Sequence, residues 1–105
     1  MMMYSEDTEP RYVISVAAKM LGVQTYTLRY YEKAGIITPH RAGRTRLYSE
    51  RDIALLKKVK TLMDDMGVNL AGVDVILRLM AKVTEMQSRM ELMETELKRL
   101  RGETK

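Results

Sequence analysis

The stretch Ile14-Ser15-Val16-Ala17-Ala18-Lys19-Met20-Leu21-Gly22-Val23-Gln24-Thr25-Tyr26-Thr27-Leu28-Arg29-Tyr30-Tyr31 decides the fold. Val16, Ala17, Met20 and Leu21 recur at helical spacing behind Ser15, the expected N-cap. Gly22 ends that helix where the chain needs a positive φ. Ala18 is small enough to let two helices cross, and Val23 and Leu28 are the expected plugs between them. A second helix is expected from about Thr25 to Ala34, stopped by Gly35, with Leu28, Tyr31 and Ala34 on its apolar face. Two short helices about a glycine turn form a helix-turn-helix. The second one opens with Gln24, Thr25, Tyr26 and Thr27. Such short or planar hydrogen-bonding side chains reach base edges from the start of a recognition helix. Arg29 and Tyr30 follow on the polar face and suit phosphates.

Downstream, Ile36-Ile37-Thr38-Pro39-His40-Arg41-Ala42-Gly43-Arg44-Thr45-Arg46-Leu47-Tyr48 reads as a short β-hairpin with its tip at Arg41 to Arg44. Pro39 and Gly43 break helix, and β-branched or aromatic residues flank them. Arg41, Arg44 and Arg46 lie within six residues, with Tyr48 at the base. An arginine-bearing hairpin beside a helix-turn-helix is a wing, able to follow the DNA backbone or enter the minor groove. Ser49 and Asp52 then open a third helix in the manner of a capping box. Its apolar stripe is Ile53, Leu56, Val59, Leu62, Met63 and Met66, ended by Gly67. Lys57, Lys58 and Lys60 fit a solvated helix face as well as a DNA-facing one. Asn69 is positioned to cap a fourth helix carrying Val73, Ile76, Leu77 and Met80.

The last segment has the strongest periodicity. Leu79, Val83, Met86, Met90, Met93, Leu97 and Leu100 alternate in steps of four and three, the a/d pattern of a coiled coil. A helix of about 23 residues spans roughly 34 Å and would expose this whole stripe in water, so it predicts a partner, most economically a second copy. The seam leaves parallel and antiparallel pairing open.

Charge follows the same division. The net charge of +4 combines an acidic start (three acids, no Lys or Arg, in residues 1–10) with a basic middle and a nearly balanced end. Residues 11–60 hold eleven Lys or Arg against three acids, and residues 61–105 seven against eight. A basic half followed by a neutral half suits a DNA-facing module joined to a partner-facing one. With 105 residues there is room for one domain but not for a large substrate cleft. The absence of cysteine excludes disulfides and thiolate metal sites. His40, the one histidine, reads as a solvated loop residue. No nucleophile–base pair, metal cluster or phosphate loop is present, and Asp64 and Asp65 read as a helix end facing water. The expectation is a non-enzyme without cofactor. No apolar run approaches a membrane span and the N-terminus lacks signal-peptide character, so a cytoplasmic protein is expected.

The ordered motifs Ile14-Ser15-Val16-Ala17-Ala18, Thr27-Leu28-Arg29-Tyr30-Tyr31-Glu32-Lys33-Ala34-Gly35-Ile36, Arg46-Leu47-Tyr48-Ser49 and Asp52-Ile53 resemble the MerR family of bacterial regulators over about residues 11–80. The resemblance implies a winged helix, a homodimer joined by an antiparallel coiled coil, and binding to an inverted repeat in double-stranded DNA with distortion of the duplex. It implies DNA contacts by Gln24, Thr25, Tyr26, Arg29, Tyr30, Arg46 and Tyr48. Within the family, residues 11–18 with Gly67-Val68-Asn69-Leu70-Ala71-Gly72-Val73 are similar to the HspR group of heat-shock repressors. That likeness implies control of chaperone operons with the chaperone DnaK as co-repressor. A similar Val-Asn-apolar-Ala-Gly stretch occurs in nitrogen regulators of the GlnR/TnrA type, which carry a long tail, whereas this sequence stops at Lys105. Metal- and redox-sensing members have cysteines that this chain lacks.

The expected architecture is mainly α. A disordered arm spans residues 1–10, and a winged helix-turn-helix with a short β-hairpin wing spans residues 11–78. A dimerisation coiled-coil helix spans residues 79–105. The expected function is DNA-binding transcriptional repression. The alternatives are regulation of another regulon, such as nitrogen metabolism, and a coiled-coil adaptor that binds protein.

Overall fold

The structure is a computed structural model and describes residues 6–102. In chain order its elements are β1 (Tyr12–Val13), α1 (Ile14–Leu21), α2 (Thr25–Lys33), β2 (His40–Ala42), β3 (Thr45–Tyr48), α3 (Glu50–Lys60) and α4 (Leu70–Leu100). The chain forms two compact units divided between Val68 and Asn69. The expected boundary between residues 78 and 79 falls inside α4, which is one continuous helix.

In the first unit, α1 packs on α2, α3 and β3. Gly22 takes φ 69°, the Gly22 amide donates to the Lys19 carbonyl (3.2 Å) and the Val23 amide to the Ala18 carbonyl (3.0 Å). This paired closure is a Schellman motif, and it turns the chain directly into α2. Ala17 and Ala18 are buried where the helices cross, together with Leu21, Leu28 and Tyr31. Ile53, Leu56 and Val59 of α3, with Ile36, Ile37 and Tyr48, complete the core.

Within the arm expected over residues 1–10, Glu6–Thr8 form a 3-10 turn, while residues 1–5 lie outside the described residues. One expectation at the N-terminal side is corrected. Helix α1 starts at Ile14 with Val13 in the cap position and no side-chain cap bond, so Ser15 falls inside the first turn. The cause is a strand that local patterning hid. Tyr12 and Val13 pair antiparallel with Tyr48 and Leu47, giving a three-stranded sheet in the order β1-β3-β2. The chain therefore passes from strand to helix without a loop in which a serine could cap.

The β2–β3 hairpin is closed by Gly43 and Arg44, flanked by the pair Ala42 and Thr45. Gly43 has φ 65°, and among the described residues only glycines have a positive φ, as in a two-residue turn with glycine first. Arg41 lies in β2, directly opposite Arg46, rather than in the tip.

Helix α3 opens with the expected capping box. Ser49 Oγ accepts from the Asp52 amide (3.1 Å) and Asp52 Oδ2 from the Ser49 amide (2.9 Å). Both bonds are half shielded from water, so Ser49→Ala is expected to lower stability by about 1 kcal/mol, read as a shift in urea midpoint at unchanged slope. An unchanged midpoint would mean that the cap adds nothing. Past Lys60 the helix widens into a π turn over Thr61–Asp65, where the Met66 amide donates to the Thr61 carbonyl (3.2 Å). The extra residue rotates Met66 off the apolar stripe, leaving it exposed, while Leu62 and Met63 remain half-buried.

The second unit is α4, with 31 residues. Asn69 Oδ1 accepts from the Gly72 amide (2.8 Å) as the N-cap. Val73 is buried, whereas every described residue from Arg78 onward is exposed. Asp74 pairs with Arg78 and Glu96 with Arg99 along the solvated faces. No helix among the described residues is long and apolar enough to cross a membrane.

Candidate nucleic-acid interface

The start of α2 presents polar side chains to solvent. Gln24 is exposed in the cap position, and Tyr26 projects into solvent with 70% of its surface accessible. Thr25 and Thr27 are half-buried, and Arg29 and Tyr30 are exposed. The pattern follows from Leu28 and Tyr31, three apart on the inner face, which turn Tyr26, Arg29 and Tyr30 outward. Tyr30 and Tyr31 rings lie 6.1 Å apart and tilted, one in solvent and the other in the core.

The wing arginines divide into two kinds. Arg44 sits at the hairpin tip, exposed and without an ion pair among the described residues. Arg41 and Arg46 converge on Glu32, near the C-terminal end of α2. Arg41 Nη2 donates to Glu32 Oε2 at 2.7 Å, and Arg46 Nε donates to Glu32 Oε1. One carboxylate thus bridges two directly opposed cations, a pairing that would otherwise repel. The Glu32 side chain is only 19% exposed.

Burial pushes the Glu32 carboxyl up, but hydrogen bonds from Arg46 and Arg41, and their charges, outweigh it and hold the group below the usual carboxylate range. A depressed folded value means that this stabilisation is complete above the unfolded value, about 4.3, and is lost as pH falls through the folded one. Between pH 6 and pH 3 the urea midpoint of the wild type is therefore expected to fall further than that of Glu32→Gln. Equal falls would show that the clamp adds no stability.

Tyr48 requires a correction. Expected as a DNA contact, it is fully buried, and its hydroxyl has no hydrogen-bond partner among the described residues. Desolvation pushes that hydroxyl up, with the Glu32 charge adding to it. Alternation along β3 places Tyr48 on the inward face, so it supports the wing from beneath. Lys60 is also structural. Its Nζ donates to the Leu21 carbonyl at 3.0 Å, satisfying the negative end of α1. Lys57 and Lys58 are exposed. Tyr12, which donates to the Glu50 carboxylate, and Glu32 are the members that sequence reasoning missed. Both act through contacts between residues far apart in the chain, which local spacing does not register. No cluster of acids and histidine able to hold a metal occurs among the described residues.

A glycine-turned helix pair with an arginine-bearing hairpin, followed by a long helix, defines a winged helix-turn-helix protein. Residues 12–79 match the MerR HTH family of regulatory proteins, and the chain belongs to that family. It is 51% identical over 86 residues to the heat-shock protein HspR of Streptomyces coelicolor, covering 81% of this chain and 56% of that protein. The chain therefore spans little more than half of that relative's length. It is 29% identical over 96 residues to the transcriptional regulator GlnR of Bacillus anthracis, covering 87% of this chain and 74% of that one. The fold is shared with HiNmlR, a MerR family regulator lacking the sensor domain, bound to promoter DNA. The TM-score is 0.61 at 22% identity, over 88% of this chain and 71% of that one. GlnR and HiNmlR are both named as regulators.

Proposed function

We propose that the chain is a sequence-specific transcriptional repressor of the heat-shock type, binding an inverted-repeat operator as a homodimer. The observation that carries the reading is the outward-facing start of α2, with Gln24 and Tyr26 exposed, on the same unit as an arginine-tipped wing. The 51% identity to HspR supports the heat-shock assignment.

In this reading α2 enters the major groove. Gln24, Thr25, Tyr26 and Thr27 meet base edges, while Arg29 and Tyr30 hold phosphates. Arg44 reaches the backbone or minor groove from the wing tip. Two chains pair along Leu79, Val83, Met86, Met90, Met93, Leu97 and Leu100, which are all more than half exposed on α4. Pairing sets the separation of the two recognition helices, so only half-sites at the matching spacing are bound together. The HspR likeness also supports DnaK as co-repressor.

Fluorescence anisotropy of an inverted-repeat duplex and a scrambled one, over a salt series, tests the reading. The inverted repeat should bind more tightly, with affinity falling steeply as salt rises. Arg29→Ala and Arg44→Ala should each weaken both duplexes alike and flatten the salt slope by about 0.9. Gln24→Ala and Tyr26→Ala should instead cut discrimination. Wild-type behaviour in all four would mean that another face reads DNA. A dimer that binds neither duplex, with or without DnaK, would favour the protein-adaptor function.

A further inference from the structure

We propose that Glu32 is a specificity-determining residue: it restrains Arg41 and Arg46 so that the wing does not bind phosphates indiscriminately. The inference rests on the DNA-binding reading above.

Three observations carry it. Arg41 and Arg46 face each other across the β2–β3 pair, so their guanidinium groups share one side of the wing. Each spends a donor on a different oxygen of the same carboxylate. That carboxylate belongs to α2, which Gln24 precedes as N-cap and which carries Tyr26 in its first turn, and its side chain is the least exposed of the three, 19% against 24% for Arg46 and 48% for Arg41. The wing is therefore tied to the element that would read bases.

A free arginine is a long, adaptable cation that can follow any phosphate, and phosphate contacts carry no sequence information. An arginine held by a carboxylate has part of its charge offset and its orientation set. It gains from DNA only where the backbone already lies in the matching position. Glu32 thus acts as an internal stand-in for a phosphate. Arg44, which has no such partner among the described residues, supplies the unselective attraction.

The test compares wild type, Glu32→Gln, Glu32→Asp and Glu32→Gln/Arg41→Gln on the inverted-repeat and scrambled duplexes. Glu32→Gln keeps the side-chain volume. It should raise scrambled-duplex affinity about 3–10-fold and steepen the salt slope by about 0.9 for each arginine that reaches a phosphate. The ratio of specific to non-specific affinity should fall. The double variant should return the scrambled affinity and slope part of the way towards wild type, because one released cation is gone. Glu32→Asp keeps the charge but cannot reach both arginines, and should lower the ratio less; it serves as the readout if Glu32→Gln does not fold. A parallel loss on both duplexes at constant ratio would reduce Glu32 to a structural brace and overturn the proposal. So would an unchanged scrambled affinity and slope. If the wild type binds neither duplex, the DNA-binding reading fails and this inference falls with it, a result distinct from either of the others.

Discussion

Met90→Glu combined with Met93→Glu is expected to leave a monomer at micromolar concentration and to cost about a hundredfold or more in affinity for the inverted repeat. On α4 alone, Met90 and Met93 are 66% and 65% exposed, in the middle of the proposed seam, whose other five members are also more than half exposed. Burying one such side chain contributes about 1.5–3 kcal/mol, so the four methionines of a pair of chains contribute roughly 6–12 kcal/mol. That is between half and all of a nanomolar association, about 12 kcal/mol. Glutamate removes this gain and sets like charges close together in a dry seam. The loss on DNA follows from linkage. Two joined half-site readers bind with an avidity of about 10²–10⁴ over one reader alone, and the monomer forfeits it. Sedimentation velocity gives the assembly state, and anisotropy gives the affinity. A double variant that still sediments as a dimer would show that the chains pair through another surface.

The second large effect is on the fold itself. Leu28→Ala is expected to cost about 2–5 kcal/mol, a large share of the roughly 5–15 kcal/mol that holds a small domain together. Leu28 is completely buried and lies in α2, between the exposed Tyr26 and Tyr30. Its removal leaves a cavity in the unit whose buried residues include Ala17, Ala18, Leu21 and Tyr31, and a close-packed interior relaxes only partly around such a void. Urea unfolding should show a lower midpoint at unchanged slope. Tyr26→Ala, two residues away but outside the core, should change stability by no more than about 0.5 kcal/mol. Similar losses in the two variants would mean that α2 is not anchored through Leu28.

These two positions also mark how far local pattern reaches. Leu28 was legible because Leu28 and Tyr31 repeat at helical spacing after a glycine. The α4 stripe was legible because a 3-4 alternation over seven residues has no other economical use. What the periodicity did not convey was continuity. Met80 and Ala81 carry no breaker, so α4 runs without a joint from Leu70 to Leu100, where two segments were expected. The π turn at Thr61–Asp65 was equally hidden, since it changes the hydrogen-bonding partner by one residue without a sequence signature of its own.

The sequence by itself determined the elements whose physics is local. A positive φ demands Gly22, a two-residue turn demands Gly43, and the capping box needs only Ser49 and Asp52. The solvent-facing start of α2 follows from the inward positions of Leu28 and Tyr31. Only the tertiary structure decided which cations are available and which are engaged. Arg44, Arg41 and Arg46 look alike along the chain. A carboxylate nine residues before Arg41 and fourteen before Arg46 separates them. Likewise, the pairing of Tyr12 with Tyr48 across the chain turned a presumed surface aromatic into core and removed the need for a serine cap. Such contacts form only after the chain has closed loops of many residues. Their energy depends on a three-dimensional approach that neither propensity nor periodicity contains.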